Sequence, residues 1–133
     1  MTLDLSSLQK ALKTLQEALI AAETDPHNTI IRDATIQRFE YCYELTHKML
    51  RRYLRATEAN AVEIDEMPFA DLIRLGSARN LLLSDWSQWK NYRAARNITS
   101  HAYDEDEAMK VIAIVPKFYE EATHLVNTLT QHQ

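Results

Sequence analysis

Apolar residues recur at steps of three and four from the start of the chain. Leu5, Leu8, Leu12, Leu15 and Leu19 fall on one face of a helix that runs to about Ala22. Thr24-Asp25-Pro26-His27-Asn28 breaks it. The pattern resumes at Thr29, where Ile31, Ala34, Phe39, Cys42, Leu45, Met49 and Tyr53 predict a long core helix to about Arg55. Residues 56 to 67 lose the period and read as a connecting loop; their acids, Glu58, Glu63, Asp65 and Glu66, match no metal-ligand spacing. A third helix is expected to begin near Pro68 and to carry Phe69, Leu72, Ile73 and Leu75, with Gly76 loosening or ending it. Ser84-Asp85 starts a fourth, whose Trp86 and Trp89, one helical step apart, fit a core better than a base-stacking platform. Asp104 and Glu107 form a capping-box pattern for a fifth. Pro116 is expected to kink or restart that last helix before Phe118, Tyr119, Leu125, Val126 and Leu129.

Composition agrees with this pattern. One glycine and three prolines in 133 residues leave few breaks, so residues 1–133 read as a single all-α domain, an antiparallel bundle of four or five helices. The lone Cys42 offers no disulfide and fits a reducing, cytoplasmic setting. The first residues lack a basic region and an apolar run, so no signal peptide is expected. No stretch reaches the roughly 18 apolar residues of a membrane span. A net charge of −4 argues against a protein that coats nucleic acid indiscriminately, though not against one that gathers its cations in one place.

Two such gatherings exist. Lys48, Arg51, Arg52 and Arg55 share one face at the end of the second helix. They fit a solvated face whose cations suit the negative end of the helix dipole; the alternative is a stripe of RNA-phosphate contacts, joined by Arg93. The second gathering is Arg96-Asn97-Ile98-Thr99-Ser100-His101-Ala102-Tyr103. On a continuous helix Arg96 and His101 lie about 140° apart. They can address one ligand if the helix ends near Ser100 and His101 folds back, or if a second molecule completes the site. Cleaving RNA without a metal requires a base, an acid and positive charge on the phosphate. Histidine suits either proton role and arginine suits the phosphate. One motif supplies one histidine, half of the requirement, whereas a two-fold dimer supplies two. Taken alone, the pair also fits a helix-end cation and an arginine paired with a nearby acid.

Arg96-x4-His101-x-Tyr103, with Asn97 after the arginine and an acidic helix start after the tyrosine, resembles the signature of the HEPN superfamily, specifically the HepT-like toxins or nucleotidyltransferase substrate-binding proteins. The resemblance implies a five-helix homodimer with the motif at its cleft, acting as a metal-independent ribonuclease. It makes Arg96 the phosphate-binding residue, His101 the proton-transfer residue and Asn97 a residue that positions the site. It also implies a partner nucleotidyltransferase of the MntA kind, an antitoxin that attaches AMP to Tyr103. No cofactor and no bound metal are expected. Two other functions fit the same residues: a non-catalytic binding subunit of a two-component nucleotidyltransferase, and a helical interaction protein. One departure is Gly76, which relatives place nearer Leu81, so the end of the third helix stays open.

Overall fold

Leu8, Leu12 and Leu15 point inward from α1 (Ser6–Thr24), and the link 25–28 folds the chain back onto it as α2 (Thr29–Thr57). The break is chemical as well as steric, because the Asn28 side chain accepts from the Ile30 and Ile31 amides and so caps α2. The remaining elements are α3 (Ala61–Glu66), α4 (Phe69–Ala78), α5 (Trp86–Asn97), a 3-10 turn (Thr99–His101) and α6 (Glu105–Gln131). They come from a computed structural model that describes residues 2–133; Met1 lies outside the described residues. The architecture is the expected all-α bundle. All five expected helices are present, and a sixth, α3, stands where a loop was expected.

The core is built on α2. Phe39, Tyr43, Leu50 and Leu54 are buried along it, and both α1 and α6 pack against it. Phe118 of α6 sits at the centre of an aromatic cluster, edge-on to Phe39 at 5.2 Å and to Tyr92 at 5.4 Å between ring centroids. Trp89 joins the cluster fully buried, as a core residue, while Trp86 stays partly exposed beneath Arg74. Burying side chains of this size contributes about 1.5–3 kcal/mol each. Cys42 is free and fully buried, and burial pushes its thiol up to about 12, so it is no nucleophile.

Four local expectations need correction or completion. Residues 56 to 67 are not simply a loop: Asn60 caps α3 by accepting from the Glu63 amide at 3.1 Å, and Ile64 anchors it in the core. A helix of six residues is too short for the hydrophobic period to reveal it. Pro116 does not restart the last helix, since α6 runs unbroken through it. It lies on the exposed side, where solvent can meet the carbonyl that its missing N–H leaves free. The capping box at α6 is half built. Asp104 accepts from the Asp106 and Glu107 amides, but its own N–H already donates to the His101 carbonyl at 3.0 Å, and Glu107 pairs with Lys110 instead. Gly76 does not end α4. Asn80, at φ 59°, makes the left-handed turn, with Leu81 N–H donating to the Gly76 carbonyl and Asn80 N–H to that of Ser77. The glycine serves close packing: a Cβ there would lie 3.3 Å from Leu50 Cδ1 and 3.2 Å from Leu82 Cδ1.

Candidate functional site

The motif straddles a helix end. α5 stops at Asn97, and the 3-10 turn that follows carries His101 as its last residue. The helix thus ends before the histidine, one of the conditions that the first geometric route requires. Asp104 then starts α6, so the segment from Arg96 to Asp104 is pinned at both ends.

Arg96 is held against α2. Its Nε donates to Glu44 Oε1 at 2.7 Å, and its NH1 reaches the Thr99 hydroxyl at 3.4 Å. Thr99 is buried and donates to Glu40 Oε2 at 2.7 Å; the Arg96 carbonyl lies 2.9 Å from the same hydroxyl. Glu40 and Glu44, one turn apart on α2, thus fix the arginine from two directions. The pair with Glu44 is partly exposed, the two side chains being 30 % and 54 % accessible. An ion pair so open contributes little to stability and more to orientation. Only one carboxylate oxygen is spent on Nε, so the terminal nitrogens keep donors for a phosphate.

His101 and Asn97 are exposed, and neither side chain makes a hydrogen bond within the described residues. The His101 ring lies 6.2 Å from the Tyr103 ring at 67°. Tyr103 itself is 86 % exposed, a large phenol held in solvent. It borders a groove of about 570 Å³ together with Arg32, Gln37, Glu40 and Thr99.

The basic stripe of α2 separates into two kinds of residue. Arg51 donates from NH1 to the carbonyls of Ile64 at 2.7 Å and Met67 at 3.0 Å, closing the C-terminal end of α3. Its NH2 meets His47 Nε2 at 3.1 Å. Arg55 pairs with both carboxylate oxygens of Asp65 at 3.0 Å. Both arginines thus have partners within the fold. Lys48 and Arg52 are exposed, and among the described residues they have no ion pair or hydrogen bond. Arg93 stands over the Phe69 ring at 5.6 Å, and among the described residues no acid pairs with it. His47, edge-on to the same ring at 4.5 Å, is half-buried; burial, then the Arg51 charge, lowers its pKa, so it is neutral at pH 7.

Glu40, Glu44, Thr99 and His47 went unseen in the sequence. The available signal was weak: Glu40, Glu44 and Lys48 form a polar line at four-residue steps along an otherwise apolar helix. Among the described residues no cluster of three or more His, Cys, Asp or Glu side chains is arranged to hold a metal, and no helix is long and apolar enough to cross a membrane.

Comparison with known proteins adds three findings. A family model described as nucleotidyltransferase substrate binding protein like matches residues 3–131. A Haemophilus influenzae protein named probable ribonuclease HepT is 35 % identical over 137 residues, covering 97 % of this chain and 93 % of that one. A solved Haemophilus influenzae structure, described as revealing the fold of a substrate binding domain of a nucleotidyltransferase, superposes with a TM-score of 0.88 at 32 % identity, over 96 % of this chain and 99 % of the other.

Proposed function

Since the chain belongs to the nucleotidyltransferase substrate-binding-like family, we propose that it is a HepT-like toxin, a metal-independent endoribonuclease with a site shared across a homodimer axis. The observation that carries this reading is Arg96, anchored through Nε by Glu44 and through NH1 by Thr99 with its NH2 left open, on a pinned segment that also presents His101 to solvent. Cleavage would proceed by attack of the ribose 2′-oxygen on the adjacent phosphorus. One His101 takes the 2′-hydroxyl proton, the 5′-oxygen leaves with a proton from the His101 of the second copy, and a 2′,3′-cyclic phosphate remains. Arg96 neutralises the charge that builds on the phosphate oxygens. The name of the curated relative, probable ribonuclease HepT, supports the reaction.

Control would come from a nucleotidyltransferase of the MntA kind, a partner to which the family description and the solved neighbour's description both point. The Tyr103 phenol oxygen would attack the α-phosphorus of ATP, lose its proton and release pyrophosphate. The attached AMP sets bulk and negative charge beside Arg96 and His101, where the substrate phosphate must go.

A second reading draws on the solved neighbour's description as a substrate binding domain. In it the same site binds a ligand for the partner enzyme and catalyses nothing. Incubating the purified chain with end-labelled RNA and excess chelator separates the two. Cleavage by the native chain, lost in His101→Ala with the fold intact, is the expected result. No cleavage by the native chain, or equal cleavage by the variant, favours the binding subunit. Light scattering at micromolar concentration is expected to give about twice the chain mass of 15.4 kDa; a monomer that still cleaves ends the shared-site idea.

A further inference from the structure

The face of α2 beyond the motif divides the cations into those that shape a groove and those that face it. The groove, of about 530 Å³, runs between α2 and α3 and is lined by Glu44, His47, Lys48, Arg51, Arg52 and Arg55, among others. Its near end is Glu44, the residue that holds Arg96, so groove and motif are continuous. Arg93 bridges them on the other side: it and His47 both lie against the Phe69 ring. Arg51 and Arg55 are spent on the α3 carbonyls and on Asp65. Lys48 and Arg52 project freely, four residues apart on one face.

We infer that this groove carries the RNA strand away from the cleavage point, with Lys48 and Arg52 as its phosphate contacts, Arg93 as the link to the motif, and Arg51 and Arg55 as struts that touch no RNA. The inference rests on the ribonuclease reading and specifies its substrate path. Charge complementarity selects the occupant. The free cations on the floor suit a polyanion, and their continuity with Arg96 requires that the same chain of phosphates reach the reacting one. His47 adds no charge, because burial and Arg51 keep it neutral. Its role in the groove wall is therefore to fill space against Phe69.

The test is anisotropy of a labelled single-stranded 2′-O-methyl oligoribonucleotide, which lacks the attacking hydroxyl and so binds without being cut. Each phosphate contact to a single strand contributes about 0.7 to the slope of log affinity against log salt. Lys48→Ala/Arg52→Ala should therefore lower the slope by about 1.4 and weaken binding roughly 25-fold at 0.1 M salt. Lys10→Ala/Lys13→Ala, an exposed pair on α1, serves as the control for bulk charge and should bind as the native chain does. Arg51→Ala should lower the melting temperature while its slope stays native. If the Lys48/Arg52 variant binds like the native chain, or if the α1 control falls as far, the path is wrong while cleavage by the native chain still upholds the enzyme. A native chain that neither binds nor cleaves RNA overturns the enzyme and the path together.

Discussion

Thr99 fills one of the positions between Arg96 and His101 that the motif leaves unspecified, yet its hydroxyl is what ties the arginine to Glu40 on α2. Residue identity at Arg96, His101 and Tyr103 was legible because a linear pattern encodes it. Glu44 was not, because it lies 52 positions from its partner and the contact exists only once α5 has docked on α2. Exposure of Tyr103 followed from its place just before the capping Asp104, which leaves it no helix face to bury. That exposure sets the residue-scale prediction. Tyr103→Phe is expected to fold and to cleave RNA like the native chain, but to escape silencing by the partner nucleotidyltransferase with ATP. Intact-mass measurement should show whole AMP units on the native chain and none on the variant; equal modification of both removes Tyr103 from the role.

At the scale of elements, hydrophobic periodicity located every helix long enough to show a period and missed α3, whose six residues owe their shape to a cap at one end and to Arg51 at the other. The same omission made the α2 stripe look uniform. Without α3, nothing distinguishes Arg51 from Arg52; with it, one is a buried-side donor to two carbonyls and the other faces water. Hydrogen bonds from a charged group to partners of this kind contribute about 1.5–3 kcal/mol, whereas exposed substitutions stay within about 0.5 kcal/mol. Arg51→Ala should therefore lower the thermal midpoint by several degrees, and Arg52→Ala should leave it unchanged. Equal midpoints in calorimetry would mean that α3 does not depend on the arginine.

For the whole molecule, one carboxyl group among the described residues is fully buried. It is that of Glu121 of α6; its Oε2 accepts from the Leu83 amide at 2.7 Å and the Ser84 amide at 3.3 Å, and among the described residues Oε1 has no hydrogen-bond partner. It latches the link between α4 and α5 onto the bundle. Burial raises its pKa above the ordinary carboxylate range, despite the amides that favour the anion. A raised folded value means that the stabilisation is complete below the unfolded pKa, about 4.3, and is lost as pH rises through the folded one. Glu121→Gln cannot ionise, so its melting temperature should gain on the native chain as pH rises above the unfolded value and through the raised folded one. Taking the difference removes the opposite trend from Asp85 and Asp4, whose carboxyls are held low by hydrogen bonds to Ser87 and Ser6. A difference that does not change with pH would show that ionisation of this carboxyl is not what the fold resists.

α2 is at once the wall of the core, the seat of Arg96 and the floor of the groove, its 29 residues divided among these roles with Glu44 shared by the last two. Inheritance acts on that helix as a single string. A shift of one position, by insertion or deletion, rotates every side chain by about 100° and would move Phe39, Glu44 and Lys48 off their faces together. Lineages of this protein should therefore drift in length at the link 25–28, but not in the segment before α5, which Glu121 holds. The span from Glu40 to Arg52 should keep its length even where its letters change.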